Sequence, residues 1–508
     1  MPSDSAAPVA DNETLTRKAA VSTSWSAISS AARQVLALAG VSILGRLLGP
    51  DAYGLIGMSA LITNFLLNFK DLGTGSAIIQ RQQVSQRMLS SLFWMNSGIG
   101  IVLTAIVFAV SFPAAQFFHE PRVTPIMQVL SVSFLITAVG VVHNSILQRE
   151  MRFHHLGLAD FTASFAGYAV AIGCALAGFG VWSLVCGNLV NMTTASAMYF
   201  ALSRWRPAFV MDPSELKSIA GFSLNLSGFG LVNYFARNAD NLVVGRVLGS
   251  GPLGYYQMAY NLMLFPIQNI SSVIAWALFP SFARIQNDDA RFRSAYTRSC
   301  MLIGLITFPI MAGIGVIADP FIRTLLGTKW IPVIPVFQIL VPVGVVQSIQ
   351  TTVGQIYLSK GRTDWMFRWG IVSTICLVTS FVVGVRWGIM GVAASYAIVY
   401  GSVVAYAGFA IPFRLIGLRV RDFAAALAPQ IGITLIMASA CAMLLFVTRV
   451  LAAPVRLVLS VSLGIAVYVG LMIFLKPPVI RELAAVVDQL GHARLSQLVR
   501  KCINVGGR

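Results

Sequence analysis

The sequence predicts an all-α polytopic membrane protein of about 14 transmembrane helices: two pseudo-symmetric six-helix lobes in parallel repeat, plus two extra C-terminal helices. Three observations predict it. The 508 residues are 57% hydrophobic and 11% charged, with mean hydropathy +0.78, whereas a soluble domain carries about 25% charged residues. Apolar stretches near the roughly 20 residues needed to cross a bilayer recur along the whole chain. Finally, residues 45–58 read GRLLGPDAYGLIGM, and 200 positions later residues 245–258 read GRVLGSGPLGYYQM. Two similar halves in a membrane chain point to transport rather than to chemistry.

The elements follow in order. Residues 1–20 are polar, with Asp4, Asp11, Glu13, Arg17 and Lys18, and read as a cytoplasmic tail. The apolar run from Val21 is too long for a signal peptide. Seven spans follow at about 22–47, 54–78, 89–112, 124–147, 158–178, 180–202 and 218–247. Seven more lie at about 255–280, 299–319, 331–358, 366–385, 388–412, 423–447 and 453–475. The lobes cover 21–205 (helices 1–6) and 206–415 (helices 7–12). Helices 13 and 14 occupy 416–476 and have no counterpart in the repeat. Six spans per repeat is an even number, so both copies enter the membrane in the same sense.

Basic residues set the orientation. With loops alternating, 25 of the 36 Lys and Arg fall on the side of both termini, 8 on the other side, and 3 inside spans. This three-to-one bias predicts cytoplasmic termini. Most of the +18 net charge is therefore topological, and no basic groove with interleaved aromatics suggests nucleic acid. In the tail, 477–508, residues Val479, Leu483, Val486, Val487, Leu490 and Leu498 approximate one helical face beside Arg481, Arg494, Arg500 and Lys501. The pattern suits a helix lying on anionic lipid; a frayed amphipathic tail is the alternative.

The repeated motif has a local explanation. Gly49 and Gly249 are expected to end helices with positive φ, and Pro50 and Pro252 to restart the chain. Arg46 and Arg246 fall at helix ends near the outer interface, where snorkelling makes them tolerable. They are candidates for guiding an anionic headgroup.

Charge within a span is costly and usually faces a cavity or a partner. Here the candidates are Arg33 and Gln34 in span 1, Lys70 and Asp71 in span 2, and Asn233, Arg237, Asn238 and Asp240 in span 7. Spans 1 and 7 are equivalent in the repeat, and their polar residues are expected to line a wet, slightly cationic cavity. The competing reading is ion pairs that lock the bundle. Arg237 and Asp240, three apart, share a face and can pair. The repeat does not copy these charges: Arg33 aligns with Asn233, and Arg237 with Ala37.

Catalytic and metal chemistry find no support. The six cysteines contain no CxxC and five lie in apolar runs, where they behave as small hydrophobes. His154 and His155 are expected in a solvated loop. No nucleophile triad, HExxH, Walker A loop or dinucleotide fingerprint is present. No cofactor is expected, so transport would run on a gradient or on substrate flow. Asp71, Asp160 and Asp240 are candidate proton or sodium sites.

Several blocks in order resemble a known family. LGPDAYGL (48–55), LFWMN (92–96), ILQREMRFHHLGLADF (146–161), GFGVWSLVCGNLV (178–190) and FARNADNLVVGRVLG (235–249) are similar to Wzx-type, colanic-acid-exporter-like polysaccharide flippases. LFPIQNISSVIAWALFPSFARIQND (264–288) and GTKWIPVIPVFQIL (327–340) continue the likeness, which fades after residue 420. These flippases belong to the multidrug/oligosaccharidyl-lipid/polysaccharide exporter superfamily. The resemblance implies a bacterial inner-membrane protein working by alternating access. It implies an undecaprenyl-diphosphate-linked oligosaccharide as substrate, with membrane lipids, a polymerase and glycosyltransferases as partners. Arg33, Lys70 and Arg237 would be the cationic cavity residues, and spans 423–475 a groove for the lipid tail. Rival readings are a multidrug or metabolite antiporter of the same fold, a membrane scaffold, and a membrane-embedded polymerase.

Overall fold

The computed structural model describes residues 12–67, 74–81, 83–213, 234, 237–271, 282, 284–475, 477 and 479–480, with side chains from residue 29 onward. These residues form helices and no strand. They fall into two compact units, residues 1–251 and 252–508, so the opening of the second repeat groups with the first unit.

The first unit runs α1 (Asn12–Leu47), α2 (Pro50–Leu67), α3 (Thr74–Gln80), α4 (Gln86–Phe118), α5 (Val123–Arg149), α6 (Phe153–Leu176) and α7 (Val181–Ser203). Residues 237–248 form a further helical stretch. The α4 start follows from its sequence: extended Ser85 accepts the Met88 N–H at 3.0 Å, the usual N-cap bond. His154 and His155, expected in a loop, instead occupy the first turn of α6 with their ring centres 3.9 Å apart.

Small residues set the spacing. A Cβ on Gly167 would sit 2.8 Å from the Gly187 carbonyl oxygen, and the reverse holds for Gly187. Buried Ala163 and Ala171 lie one turn to either side of Gly167. In lipid, where apolar side chains gain nothing by leaving solvent, such close backbone approach is what holds helices together.

The two motif glycines differ. Gly249 takes φ +88° as expected, but Gly49 is not among the positive-φ residues. Gly49 stands directly before Pro50, whose ring pushes the preceding residue toward extended backbone. Gly249 is followed by Ser250, so no such constraint applies.

The second repeat continues with α8 (Ser250–Pro266). The second unit then carries α9 (Asp289–Val316), α10 (Ala318–Leu325), α11 (Val333–Gln350), α12 (Val353–Ser359), α13 (Thr363–Gly384), α14 (Gly388–Val399), α15 (Ala405–Phe413), α16 (Val420–Val447) and α17 (Ala453–Leu475). Among the described residues, eight helical stretches are long and apolar enough to cross a membrane. One of them, Thr363–Phe413, holds the two spans read at 366–385 and 388–412. A 3-10 turn at Val385–Trp387 and Gly388 at φ +71° separate them, and α13 packs back against α14.

The unrepeated helices are anchored. α16 packs on α9 and on α17, and α17 also packs on α10. Asp319 of α10 accepts from Arg323 at 2.6 Å and from Arg456 of α17 at 3.2 Å. A core of Phe282, Phe292, Tyr296, Phe413 and Phe423 also takes in Val479, which is fully buried. Val479 was expected on the lipid-facing stripe of the tail; it packs into protein instead. The rest of that stripe lies outside the described residues.

Candidate functional site

Polar chemistry at membrane depth gathers in the first unit where α1, α6 and α7 meet. Gly157 lets α1 close on α6, because a Cβ there would stand 2.6 Å from Ser29 Oγ. Across this contact Arg33 Nη1 donates to Asp160 Oδ2 at 2.7 Å, and Nη2 lies 3.3 Å from Ser30 Oγ. The Tyr199 hydroxyl of α7 donates to the other Asp160 oxygen and also bonds Asn144 of α5. Four helices thus share one network. Its formal charge is zero, and Arg33 and Asp160 keep 37% and 28% side-chain exposure. Arg33 is an ion-pair member, and Asp160, read as a candidate ion site, is its partner. Gln34 beside it is half-buried.

One to three turns along the same helices lies a cavity of about 300 Å3. Ser164, Tyr168, Asn188 and Asn191 give it polar walls, Leu44 and Leu184 apolar ones, and among the described residues no charged one lines it. The Tyr168 ring lies over Gly40, where a Cβ would come within 2.3 Å of it. A second cavity, about 280 Å3, is apolar and lies among Leu61, Phe65, Ile106, Val110, Tyr234 and Leu242.

Around that second cavity, Tyr234 donates to the Leu61 carbonyl at 2.7 Å and Asn238 to the Tyr234 carbonyl at 2.9 Å. Asp240 is 2% exposed and accepts the Asn241 N–H at 2.8 Å. Arg237 is exposed. The expected Arg237–Asp240 pair is not formed: among the described residues no ion pair joins them, because one side chain points inward and the other out. Lys70, Asp71 and Asn233 lie outside the described residues.

At the end of the unit that carries the α1–α2 turn, a charged cluster brings the two motif copies together. Arg122 forks onto Asp51 at 2.7 Å and Glu120 at 2.8 Å. The Ser250 hydroxyl donates to Asp51. A Cβ on Gly54 would fall 1.8 Å from the Ser250 carbonyl oxygen. Burial pushes the Asp51 carboxyl up, but hydrogen bonds from Ser250 and Arg122 outweigh it and hold it below its ordinary value. Glu120 is lowered chiefly by the Arg122 hydrogen bond. Of the two headgroup candidates, Arg46 is exposed, whereas the Arg246 guanidinium rests against the His119 ring and lies 5.4 Å from the Phe117 centroid.

The sequence reading missed Asn188, Asn191, Tyr199 and the Asp51–Arg122–Ser250 cluster. The amides had a signal, two Asn at i and i+3 within an apolar span. The cluster had none, since its members are 71 and 199 positions apart.

Residues 43–335 match the family described as polysaccharide biosynthesis protein. The chain belongs to this family. As a polysaccharide biosynthesis protein it is 29% identical over 382 residues to the lipopolysaccharide biosynthesis protein WzxC of Escherichia coli, covering 74% of this chain and 77% of that one. It is 26% identical to the teichuronic acid biosynthesis protein TuaB of Bacillus subtilis, covering 74% and 78%. It is also 26% identical to the succinoglycan biosynthesis transport protein ExoT of Rhizobium meliloti, covering 72% and 74%. In fold, this polysaccharide biosynthesis protein is similar to the lipid II flippase MurJ in an inward closed conformation, with TM-score 0.69 and 14% identity over 89% of this chain and 98% of that one. An inward-facing multidrug resistance MATE transporter follows at TM-score 0.60 and 18% identity, covering 76% and 94%.

Proposed function

We propose that the protein is a transporter, not an enzyme, and that it flips an undecaprenyl-diphosphate-linked oligosaccharide from the cytoplasmic to the periplasmic leaflet of the bacterial inner membrane. Alternating access would move it, supplying surface polysaccharide assembly. The family match over residues 43–335 carries this reading, supported by relatives named for lipopolysaccharide and succinoglycan biosynthesis. The physics of the cargo agrees. A diphosphate and its sugars cannot cross hydrocarbon without polar partners, whereas the polyprenyl chain need never leave lipid.

The basic-residue bias supports cytoplasmic termini, which puts the Arg122 cluster at the periplasmic end. Of the three intramembrane cations, Arg33 is neutralised by Asp160, so the diphosphate role passes to exposed Arg237 and to Lys70. Asp71 and Asp240 remain the candidates for a coupling proton or sodium ion. A polymerase and glycosyltransferases are the expected partners, and no cofactor takes part.

Reconstituted vesicles loaded with a fluorescent lipid-linked oligosaccharide test this directly. Protein-dependent transfer between leaflets is expected, with Arg237→Ala slowing it. Absence of transfer, with efflux of cationic drugs in its place, would favour the antiporter reading that the MATE-like fold allows.

A further inference from the structure

The α6–α7 hairpin is joined along one antiparallel seam. Its contacts step evenly toward the turn. Tyr199 reaches Asp160, Asn191 meets Gly167, and Gly187 meets Ala171. The next step brings Cys186 to Cys174, the two thiols within hydrogen-bonding reach of each other. Small residues allow it. A Cβ on Gly187, the neighbour of Cys186, would stand 2.6 Å from the Ala171 Cβ. The helices therefore run in the close approach that a disulfide needs, whose Cα atoms stand about 5.5–6 Å apart. Both thiols are free and half-buried. Cys300 and Cys441 are buried and behave as the small hydrophobes expected of them; Cys174 and Cys186 have each other.

The pair also lies near water. Cys174 stands two residues before the end of α6 and Cys186 five residues after the start of α7, depths of roughly 3 and 8 Å at 1.5 Å per residue. The turn between the helices, residues 177–180, carries positive φ at Gly178 and Gly180. With both termini cytoplasmic, this turn lies on the periplasmic side, where thiols meet an oxidising environment.

We propose that Cys174 and Cys186 form a disulfide at the periplasmic end of this hairpin, closed by a periplasmic thiol oxidant that carries a reactive disulfide. The proposal rests on the orientation given under the proposed function and is independent of the cargo. The exchange balances. Cys174, nearer the surface, attacks one sulfur of the oxidant as a thiolate; the other sulfur leaves as a thiolate, and a mixed disulfide forms. The Cys186 thiolate then displaces the oxidant from Cys174. The Cys174–Cys186 bond is made, and the oxidant departs as a dithiol with the two electrons and the two thiol protons. The bond fixes the seam at its outer end, while the Asp160–Tyr199 contact, part of the network with Arg33, holds it at the other.

One tryptic fragment reads the result. Residues 153–204 have no Lys or Arg before Arg204 and contain no other cysteine than these two. The full chain, expressed in bacteria, is quenched with acid, denatured in excess maleimide and digested, and the alkyl groups on this fragment are counted by mass spectrometry. Most molecules are expected to carry none. Two are expected from cells deprived of periplasmic thiol oxidation, or when reductant precedes the maleimide. Cys376, on a separate fragment, should be labelled throughout. Two labels from oxidising cells would overturn the proposal, and so would one, which means a bond to some other thiol. If protein with two labels closes the bond in nanodiscs with oxidised glutathione, the fault lies in the orientation; leaflet transfer, measured separately, judges the flipping reading. The brace itself is read by heat. Reduction should lower the wild-type melting temperature by about 2 °C or more and leave Cys174→Ala/Cys186→Ala unchanged; an equal response of the two proteins would overturn it.

Discussion

Arg33 and Asp160 lie 127 positions apart in sequence and meet at 2.7 Å, with Tyr199 holding the second carboxylate oxygen. The pair turns what reads in sequence as an isolated intramembrane cation into one half of a neutral unit that ties α1 to α6 and α7.

Removing one partner should therefore hurt more than removing both. Asp160→Asn leaves Arg33 with no carboxylate at membrane depth. Because both side chains keep about a third of their exposure, the cost falls between the surface and buried limits, about 1–2 kcal/mol. Arg33→Met/Asp160→Leu should melt closer to wild type than either single variant, as followed by thermal unfolding in detergent. A double variant destabilised by the sum of the two single changes would show that the pair is not energetically coupled.

Three motif glycines should respond differently to alanine. Gly54→Ala drives a methyl against the Ser250 backbone and should cost about 1–3 kcal/mol through overpacking, together with most surface polysaccharide. Gly249→Ala meets no atom within 4 Å but is held at φ +88°, a strain of about 1–2 kcal/mol. Gly49→Ala has neither problem and should be near neutral. Melting temperatures and polysaccharide yield at matched protein levels would rank the three.

Acid should loosen the Arg122 cluster. The folded carboxyls of Asp51 and Glu120 titrate below their ordinary values, and unfolded ones at about 4. The unfolded chain thus takes up protons first, so this contribution is present above pH 4 and is lost as pH falls through the folded values. In Arg122→Gln, both carboxyls should return toward ordinary behaviour, and the melting temperature should fall less between pH 6 and pH 3 than in wild type. Parallel pH profiles would show that the cluster contributes nothing.

The Asp319 fork should matter on one arm only. Arg456 is 16% exposed and Arg323 is 38% exposed. Asp319→Asn strands a mostly buried guanidinium and is expected to cost about 1–3 kcal/mol. Arg323→Gln removes a more open i, i+4 pair, worth about 0.5 kcal/mol. Comparable melting for the two variants would contradict a clasp between α10 and α17.

The helices were legible because apolar length alone announces a span, and the 200-residue motif announced the duplication. The break between α13 and α14 was also readable, at Gly388. Partnership was not. Which carboxylate Arg33 meets depends on how closely α1 and α6 approach, and that is set by Gly157, a residue with no charge to draw notice. Asp240 turned inward and Arg237 outward although both sit on one nominal face, since three residues on a helix differ by roughly 60° around its axis. Gly49 failed its expectation for a reason the sequence did hold, the proline next to it.

Val479 has a practical consequence for anyone shortening this chain. A stop placed just after the last apolar span, at Pro477 or Pro478, looks harmless on a hydropathy trace. It would remove a side chain that closes the floor of an aromatic cluster built from Phe282, Phe292, Tyr296, Phe413 and Phe423. Truncations and fused reporters belong beyond Ile480, so that both Val479 and Ile480 stay packed in this cluster.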